Sequence, residues 1–140
     1  MIPGSGAGQI QLGMSRDSAR SLLSKMGYPV VTTQGDSDYF CENALQLEYD
    51  SGFVRFIGIS EHPRIACTFK DKDVFDLSAA DLFAIVAEGE PAIPLVQPGG
   101  TCFFPRQGIN LWEADEQYDR KGNYKRKVYA QVGVENPEAP

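Results

Sequence analysis

Two stretches of the chain, 63 residues apart, carry the same order of apolar and helix-capping residues. At that shift Leu12-x-Met14-Ser15 aligns with Phe75-x-Leu77-Ser78, and at a shift of 64 residues Leu45-Gln46-Leu47 aligns with Ile109-Asn110-Leu111. The matches keep their order and their side-chain class, which indicates two copies of one helix-then-strands unit. The sequence therefore predicts an α+β fold of two tandem helix-plus-antiparallel-sheet repeats, at about residues 10–69 and 72–134, with the helices on one face of the sheet. Residues 1–140 are expected to form a single domain.

Each copy is expected to begin with a capped helix. Ser15 precedes a segment whose apolar residues recur at helical spacing, and Gly27 is suited to end that helix. Ser78 and Asp81 have the spacing of a capping box before an apolar run that stops at Gly89.

Strand patterns follow each helix. Leu45–Tyr49 alternates apolar and polar residues, Asp50-Ser51-Gly52 has turn chemistry, and Phe53–Ile59 follows as a second apolar run. This order predicts a β-hairpin. Two segments depart from the repeat: residues 90–100 read as a proline-rich loop, and residues 113–124 enlarge the tip of the second hairpin. Long charged loops on a rigid sheet are common sites of function, although a solvated loop is the simpler interpretation.

Charge is unevenly distributed along the chain. Residues 36–119 contain sixteen acidic and five basic residues, residues 120–134 contain five basic residues and no acid, and the whole chain carries −6. Because phosphate binding needs clustered cations, the acidic middle argues against a nucleic-acid partner. The absence of a signal-like start or a long apolar run predicts a cytoplasmic protein that does not enter a membrane.

The chemistry of a catalytic or metal site is scarce. Cys41, Cys67 and Cys102 are widely spaced and read as buried apolar residues, and no metal-ligand spacing is present. His62 lies in a turn-like Glu-His-Pro-Arg segment with no visible catalytic partner. Acid pairs such as Asp36/Asp38 and Asp71/Asp73 lie in polar, turn-like sequence and read as solvated turns. We therefore expect no catalytic residue, no metal and no cofactor, and a binding protein rather than an enzyme.

An interaction surface is the stronger prediction. If Ile109 and Leu111 face the core, strand alternation turns Asn110 and Trp112 outward. An outward tryptophan with an acidic rim has the composition of an interface hot spot, whereas a tryptophan covered by the hairpin tip is the competing interpretation. The residues predicted to bind a partner are Glu48, Trp112, Glu113, Asp115, Glu116, Tyr118 and Asp119.

Two resemblances bear on function. The segment Ile10–Leu23 resembles the opening motif of β-lactamase-inhibitor-like and outer-membrane-assembly lipoprotein-like modules, which implies tandem helix-plus-sheet units whose sheet binds a protein. The whole-chain pattern, including Leu45–Asp50 and Asp73–Leu77, is similar to bacterial immunity proteins encoded beside polymorphic toxins. That similarity implies an acidic, non-catalytic cytoplasmic protein that covers a toxin domain, often a basic nuclease.

The leading hypothesis is thus an immunity protein that binds a cognate toxin by steric and electrostatic blocking. A small ligand-binding or enzymatic domain that uses the groove between the two halves is an alternative. A housekeeping protein-interaction module is another. The sequence does not indicate an oligomeric state.

Overall fold

A computed structural model describes residues 6–112, 118–121 and 124–137. In chain order its elements are β1 (Gly6–Ala7), β2 (Ile10–Gln11), α1 (Arg16–Lys25), β3 (Val30–Gln34), β4 (Ser37–Phe40), β5 (Leu45–Asp50), β6 (Phe53–Ser60), β7 (Thr68–Phe69), β8 (Lys72–Asp73), α2 (Ala79–Glu88), β9 (Leu95–Gln97), β10 (Thr101–Phe104), β11 (Ile109–Trp112), β12 (Tyr118–Lys121), β13 (Tyr124–Lys127) and β14 (Gln131–Glu135).

One large sheet dominates the molecule. Eight strands lie in the order β3-β4-β5-β6-β14-β11-β10-β9, and every neighbouring pair is antiparallel. Three further pairs, β1-β2, β7-β8 and β12-β13, are small two-stranded ribbons. The centre of the large sheet is the pairing of β6 with β14, in which Gly58 lies opposite Gly133.

The predicted fold class is wrong. Strands take 43% of the chain and helical residues 17%, so the protein is mostly β rather than a two-repeat helix-plus-sheet α+β domain. The strands of the expected halves do not form separate units, because β6 and β14 join them into one continuous sheet. The segment expected to be a proline-rich loop also contributes its edge strand, β9 (Leu95–Gln97).

The local predictions for the two helices are confirmed. The side chain of Ser15 accepts a hydrogen bond from the backbone N–H of Ser18, and that of Ser78 accepts one from Asp81 N–H, each at 3.2 Å. Such caps satisfy donors that have no partner within the helix. Gly27 lies just beyond α1 with a φ of 91°, a conformation that glycine adopts without a steric penalty.

The core lies between the helices and one face of the sheet. The hairpin of β5 and β6 forms as predicted, and Leu45, Leu47 and Ile57 on it are buried. Both helices contribute buried side chains to the same cluster: Ala19 and Leu23 from α1, and Ala79, Leu82 and Val86 from α2. The opposite face of the sheet carries the alternate residues of each strand. That face is called the open face below.

Candidate functional site

The open face consists of a row of residues that runs straight across the sheet. Cross-strand pairing places Gln46 opposite Gly58, Gly58 opposite Gly133, and Gly133 opposite Asn110. The row continues to Tyr39 beside Gln46 at one end, and at the other to Phe103 and Leu95 beyond Asn110. The two glycines at the centre of the row are therefore flanked by the amide side chains of Gln46 and Asn110, and the larger side chains of Tyr39, Phe103 and Leu95 lie farther out.

Phe56 fills the gap above the two glycines. A Cβ atom at Gly133 would lie 2.6 Å from Cε2 of Phe56, and one at Gly58 would lie 2.8 Å from its Cε1. The ring of Phe56 thus packs directly against the backbone of the two glycines, which have no side chains. It is buried, although it lies on the face away from the helices. This close approach explains why both central positions are glycine.

Trp112 occupies the open face at the end of β11. Ile109 and Leu111 are fully buried on the helix-covered face, as predicted from strand alternation, while Trp112 is half-buried and lies opposite Gln131 of β14. The indole Nε1 of Trp112 is buried and has no hydrogen-bond partner within the described parts of the chain. An unsatisfied buried donor costs about 1–3 kcal/mol. The part of Trp112 that is open to another molecule is therefore the exposed part of the ring and not this N–H.

The structure does not bring Glu48 close to Trp112. Both lie on the open face. Glu48 pairs with Phe56 on β6, and Phe56 pairs with Glu135 on β14. Trp112 pairs with Gln131 on β14, which is four residues before Glu135. Glu48 instead accepts a hydrogen bond from Nη2 of Arg55 at 3.3 Å. Glu48 and Trp112 therefore lie in different parts of the open face.

A second open-face acid escaped the sequence prediction. Oε1 of Glu135 accepts a hydrogen bond from Nδ2 of Asn110 at 2.9 Å, which holds this carboxylate beside the central row. Gln131 Nε2 also donates to Gln46 Oε1 at 3.5 Å, across β6 and over Gly58. The sequence signal for Glu135 was its position two residues after Gly133, because alternate residues of one strand point to the same face.

The other predicted contact residues lie on or beside the enlarged hairpin tip. Glu113, Asp115 and Glu116 lie outside the described residues. Tyr118 and Asp119 belong to β12, whose backbone pairs with β13 so that Asp119 lies opposite Arg126. The placement of these five residues as a partner contact stays a prediction.

Asp38 forms the centre of a buried charge cluster that sequence reasoning missed. Its carboxylate accepts hydrogen bonds from Arg16 Nη2 at 2.9 Å, Arg20 Nε at 2.7 Å, Thr33 Oγ1 at 2.8 Å and Tyr49 OH at 2.8 Å. Asp38 is fully buried, so its interpretation as part of a solvated turn is wrong. The available signal was the i, i+4 spacing of the two arginines on α1 together with the alternation of Asp38 and Phe40 on β4.

The cluster shifts two pKa values in opposite directions. Burial by itself would raise the pKa of Asp38, but the hydrogen bonds from Arg20, Arg16, Thr33 and Tyr49 outweigh it and hold that pKa well below its usual range. Burial, together with the hydrogen bond to Asp38, raises the pKa of Tyr49 above its usual range. The arrangement joins α1 to the sheet, and its carboxylate has every oxygen engaged, so its role is structural.

His62 has partners that the sequence did not reveal. Its Nδ1 accepts a hydrogen bond from the backbone N–H of Arg64 at 3.1 Å and lies 3.4 Å from Sγ of Cys41. Its Nε2 lies 3.5 Å from Oε1 of Glu42. The backbone donor assigns the lone pair to Nδ1 and the proton to Nε2, which faces the carboxylate.

Cys41 and Glu42 lie outside the cavity that borders His62. A cavity next to His62 is lined by residues 61–66, 73, 75 and 76, so Cys41 does not reach its wall. Cys41 is buried at the start of a turn in which Cys41, Glu42 and Asn43 all have positive φ values. The contacts fix that unusual turn against the His62 segment.

Asp71 and Asp73 are exposed, as their turn-like sequence predicted.

No group of three or more metal-binding side chains occurs within the described ranges. Both described helices are ten residues long, and neither has the length and apolar run needed to cross a membrane. The chain matches no family model, no curated protein and no solved structure.

Proposed function

We propose that this chain is a cytoplasmic immunity protein that binds and neutralises a cognate bacterial toxin domain through the open face of its sheet. The observation that carries the proposal is the indole of Trp112, a large aromatic ring that lies on the open face and is only half-buried there. A bound protein would cover the part of the ring that is still exposed. Tryptophan is enriched among the residues that dominate binding energy at interfaces.

The surroundings of Trp112 suit a protein surface better than a small ligand. Its cross-strand neighbour Gln131 presents an amide group and donates to the amide of Gln46, and Phe103 offers a half-buried aromatic ring farther across the sheet. Such a mixture of aromatic and amide groups on a sheet face matches the core of a protein–protein interface. The helices already cover the other face, so binding here would leave the hydrophobic core intact.

Charge favours a basic partner. The chain carries −6, and Glu48 and Glu135 place carboxylates on the open face away from Trp112. Complementary charge accelerates encounter and disfavours partners of the same sign. A basic nuclease domain, whose own substrate is anionic, fits this surface, and blocking it would be both steric and electrostatic.

The test uses the product of the reading frame next to this gene. Expressed alone, that product should arrest bacterial growth, and co-expression of this protein should restore growth and yield a co-purifying complex. Trp112→Ala should weaken protection, whereas Met26→Ala, which removes an exposed apolar side chain at the end of α1 on the helix-covered side, should not. A harmless neighbouring product, or full protection by Trp112→Ala with no loss of affinity, would contradict the proposal.

A further inference from the structure

A cavity of about 440 Å³ enters the core between α1, the β5–β6 hairpin and the segment that follows β6. Protein interiors are packed closely, with few voids larger than a water molecule. A space of this size is within the range of ~300–1,000 Å³ that is typical of small-molecule sites. It lies within residues 8–68, so it is not the groove between the two halves that the sequence suggested for a ligand.

The walls of the cavity are mostly apolar. They come from β2, α1, β5, β6 and the 65–68 segment, and the main contributors are Ile10, Leu23, Leu45, Ile57, Ile59 and Ile65. Cys67 also lines it, and burial raises the pKa of this thiol to about 11, so the side chain is neutral. These branched apolar side chains suit a hydrocarbon chain and offer little to a polar molecule.

Among the described residues of the lining, Arg64 carries a permanent charge, and its side chain is exposed. The guanidinium carbon of Arg64 lies 5.0 Å from the centre of the Tyr28 ring, and its Nη2 donates a hydrogen bond to the carbonyl oxygen of Gly27 at 3.2 Å. The Tyr28 hydroxyl in turn donates to the carbonyl oxygen of Arg64 at 2.7 Å. These contacts fix Arg64 in place, and neither an aromatic ring nor a carbonyl carries a formal charge that would neutralise it. Its remaining guanidinium N–H groups suit a carboxylate.

We infer that this cavity binds a free alkyl carboxylate, with the hydrocarbon chain between α1 and the β5–β6 hairpin and the carboxylate at Arg64. The occupant follows from the combination of an apolar interior and one fixed cation in its wall. The site lies on the helix-covered side of the sheet, away from Trp112. Ligand binding and toxin binding are therefore separate properties, and either can fail without the other.

Isothermal titration calorimetry of the full-length protein with decanoate and with decanol tests the inference. Decanoate should bind at one site about tenfold or more tightly than decanol, because only the carboxylate can pair with Arg64. Arg64→Gln should reduce that preference to within about threefold, whereas Arg55→Gln, which removes an arginine remote from this cavity, should leave it unchanged. Ala66→Trp, which places a large ring at the cavity wall, should weaken both ligands about tenfold or more.

Circular dichroism spectra of the variants confirm that each is folded before titration. Absence of saturable binding by the parent protein would overturn the inference. Equal affinity for decanoate and decanol would overturn it, as would an undiminished preference in a folded Arg64→Gln variant. Tighter binding to vesicles that contain decanoate than to the free acid would identify a lipid surface as the partner and would likewise contradict the proposed ligand.

Discussion

Nε of Arg20 lies 2.7 Å from Oδ2 of Asp38, where α1 crosses the sheet near its β3–β4 edge. The carboxylate is fully buried, while the side chains of Arg16 and Arg20 are 22% and 36% exposed. The cluster therefore contains one anion that depends on its partners and two cations that partly retain water. This asymmetry determines what each substitution should do.

Asp38→Asn should destabilise the protein by about 3 kcal/mol, because removal of one partner from a buried ion pair leaves the remaining charge uncompensated. The value is at the lower end of the usual range because both arginines keep some solvent. Urea unfolding measures the change. The matched control is Glu48→Gln, which breaks the exposed Arg55–Glu48 pair and should cost less than about 1 kcal/mol. Equal costs for the two variants would contradict a special role for Asp38.

The same cluster predicts how stability depends on pH. The pKa of Asp38 is lowered in the folded state, so its contribution is present above the unfolded pKa of about 3.9 and is lost as pH falls through the folded value. The pKa of Tyr49 is raised, so its contribution is present below the unfolded pKa of about 10 and is lost as pH rises through the folded value.

Unfolding free energies from urea titrations between pH 3 and 11 can separate the two effects. Asp38→Asn should remove part of the acid-side loss of stability, and Tyr49→Phe should remove part of the alkaline-side loss. Curves for these variants that run parallel to the parent at both ends would show that neither group is responsible.

Gly133→Ala should cost about 1–3 kcal/mol, because its new methyl group would overlap the ring of Phe56. In a double-mutant cycle, Phe56→Leu should reduce the cost of Gly133→Ala by about 1 kcal/mol or more, since the smaller side chain frees the space. Strictly additive effects in urea unfolding would mean that the ring does not restrict this glycine.

The sequence predicted the elements whose signals are local. The caps Ser15 and Ser78 and the hairpin of Leu45–Tyr49 with Phe53–Ile59 depend on a few adjacent residues, and all three were found. The weak edge strands Val30–Gln34 and Leu95–Gln97 were missed, because every residue in them but one is exposed and they therefore lack apolar alternation. Their omission, and the unforeseen joining of β6 to β14, made the fold class wrong.

For the candidate sites too, the sequence predicted what depends on neighbouring residues and missed what depends on tertiary structure. Strand alternation placed Ile109, Leu111 and Trp112 on their observed sides, because neighbouring residues on a strand point to opposite faces. It could not reveal how far Glu48 lies from Trp112, because that distance depends on the β6–β14 pairing. The contact between Cys41 and His62 likewise depends on tertiary structure, since 21 residues separate the two.

His62→Ala and Cys41→Ser should leave toxin neutralisation intact if the protein acts by binding. Each change should lower the free energy of unfolding by about 1–2 kcal/mol, because it removes contacts that fix the turn at residues 41–43. Growth protection and urea unfolding are the two measurements. Loss of protection by a His62→Ala protein that is folded and still binds its toxin would indicate enzymatic detoxification instead.

The most direct test of the open face is the dissociation rate of the complex with the neighbouring gene's product, measured by surface plasmon resonance. Loss of a central tryptophan costs about 2 kcal/mol or more, which corresponds to about 30-fold in affinity and is expected mainly in dissociation. Trp112→Ala should therefore dissociate about 30-fold faster than the parent, while Met26→Ala, at the end of α1 on the helix-covered side, stays within about twofold of it. A Trp112→Ala complex that dissociates at the parental rate would contradict binding through this face.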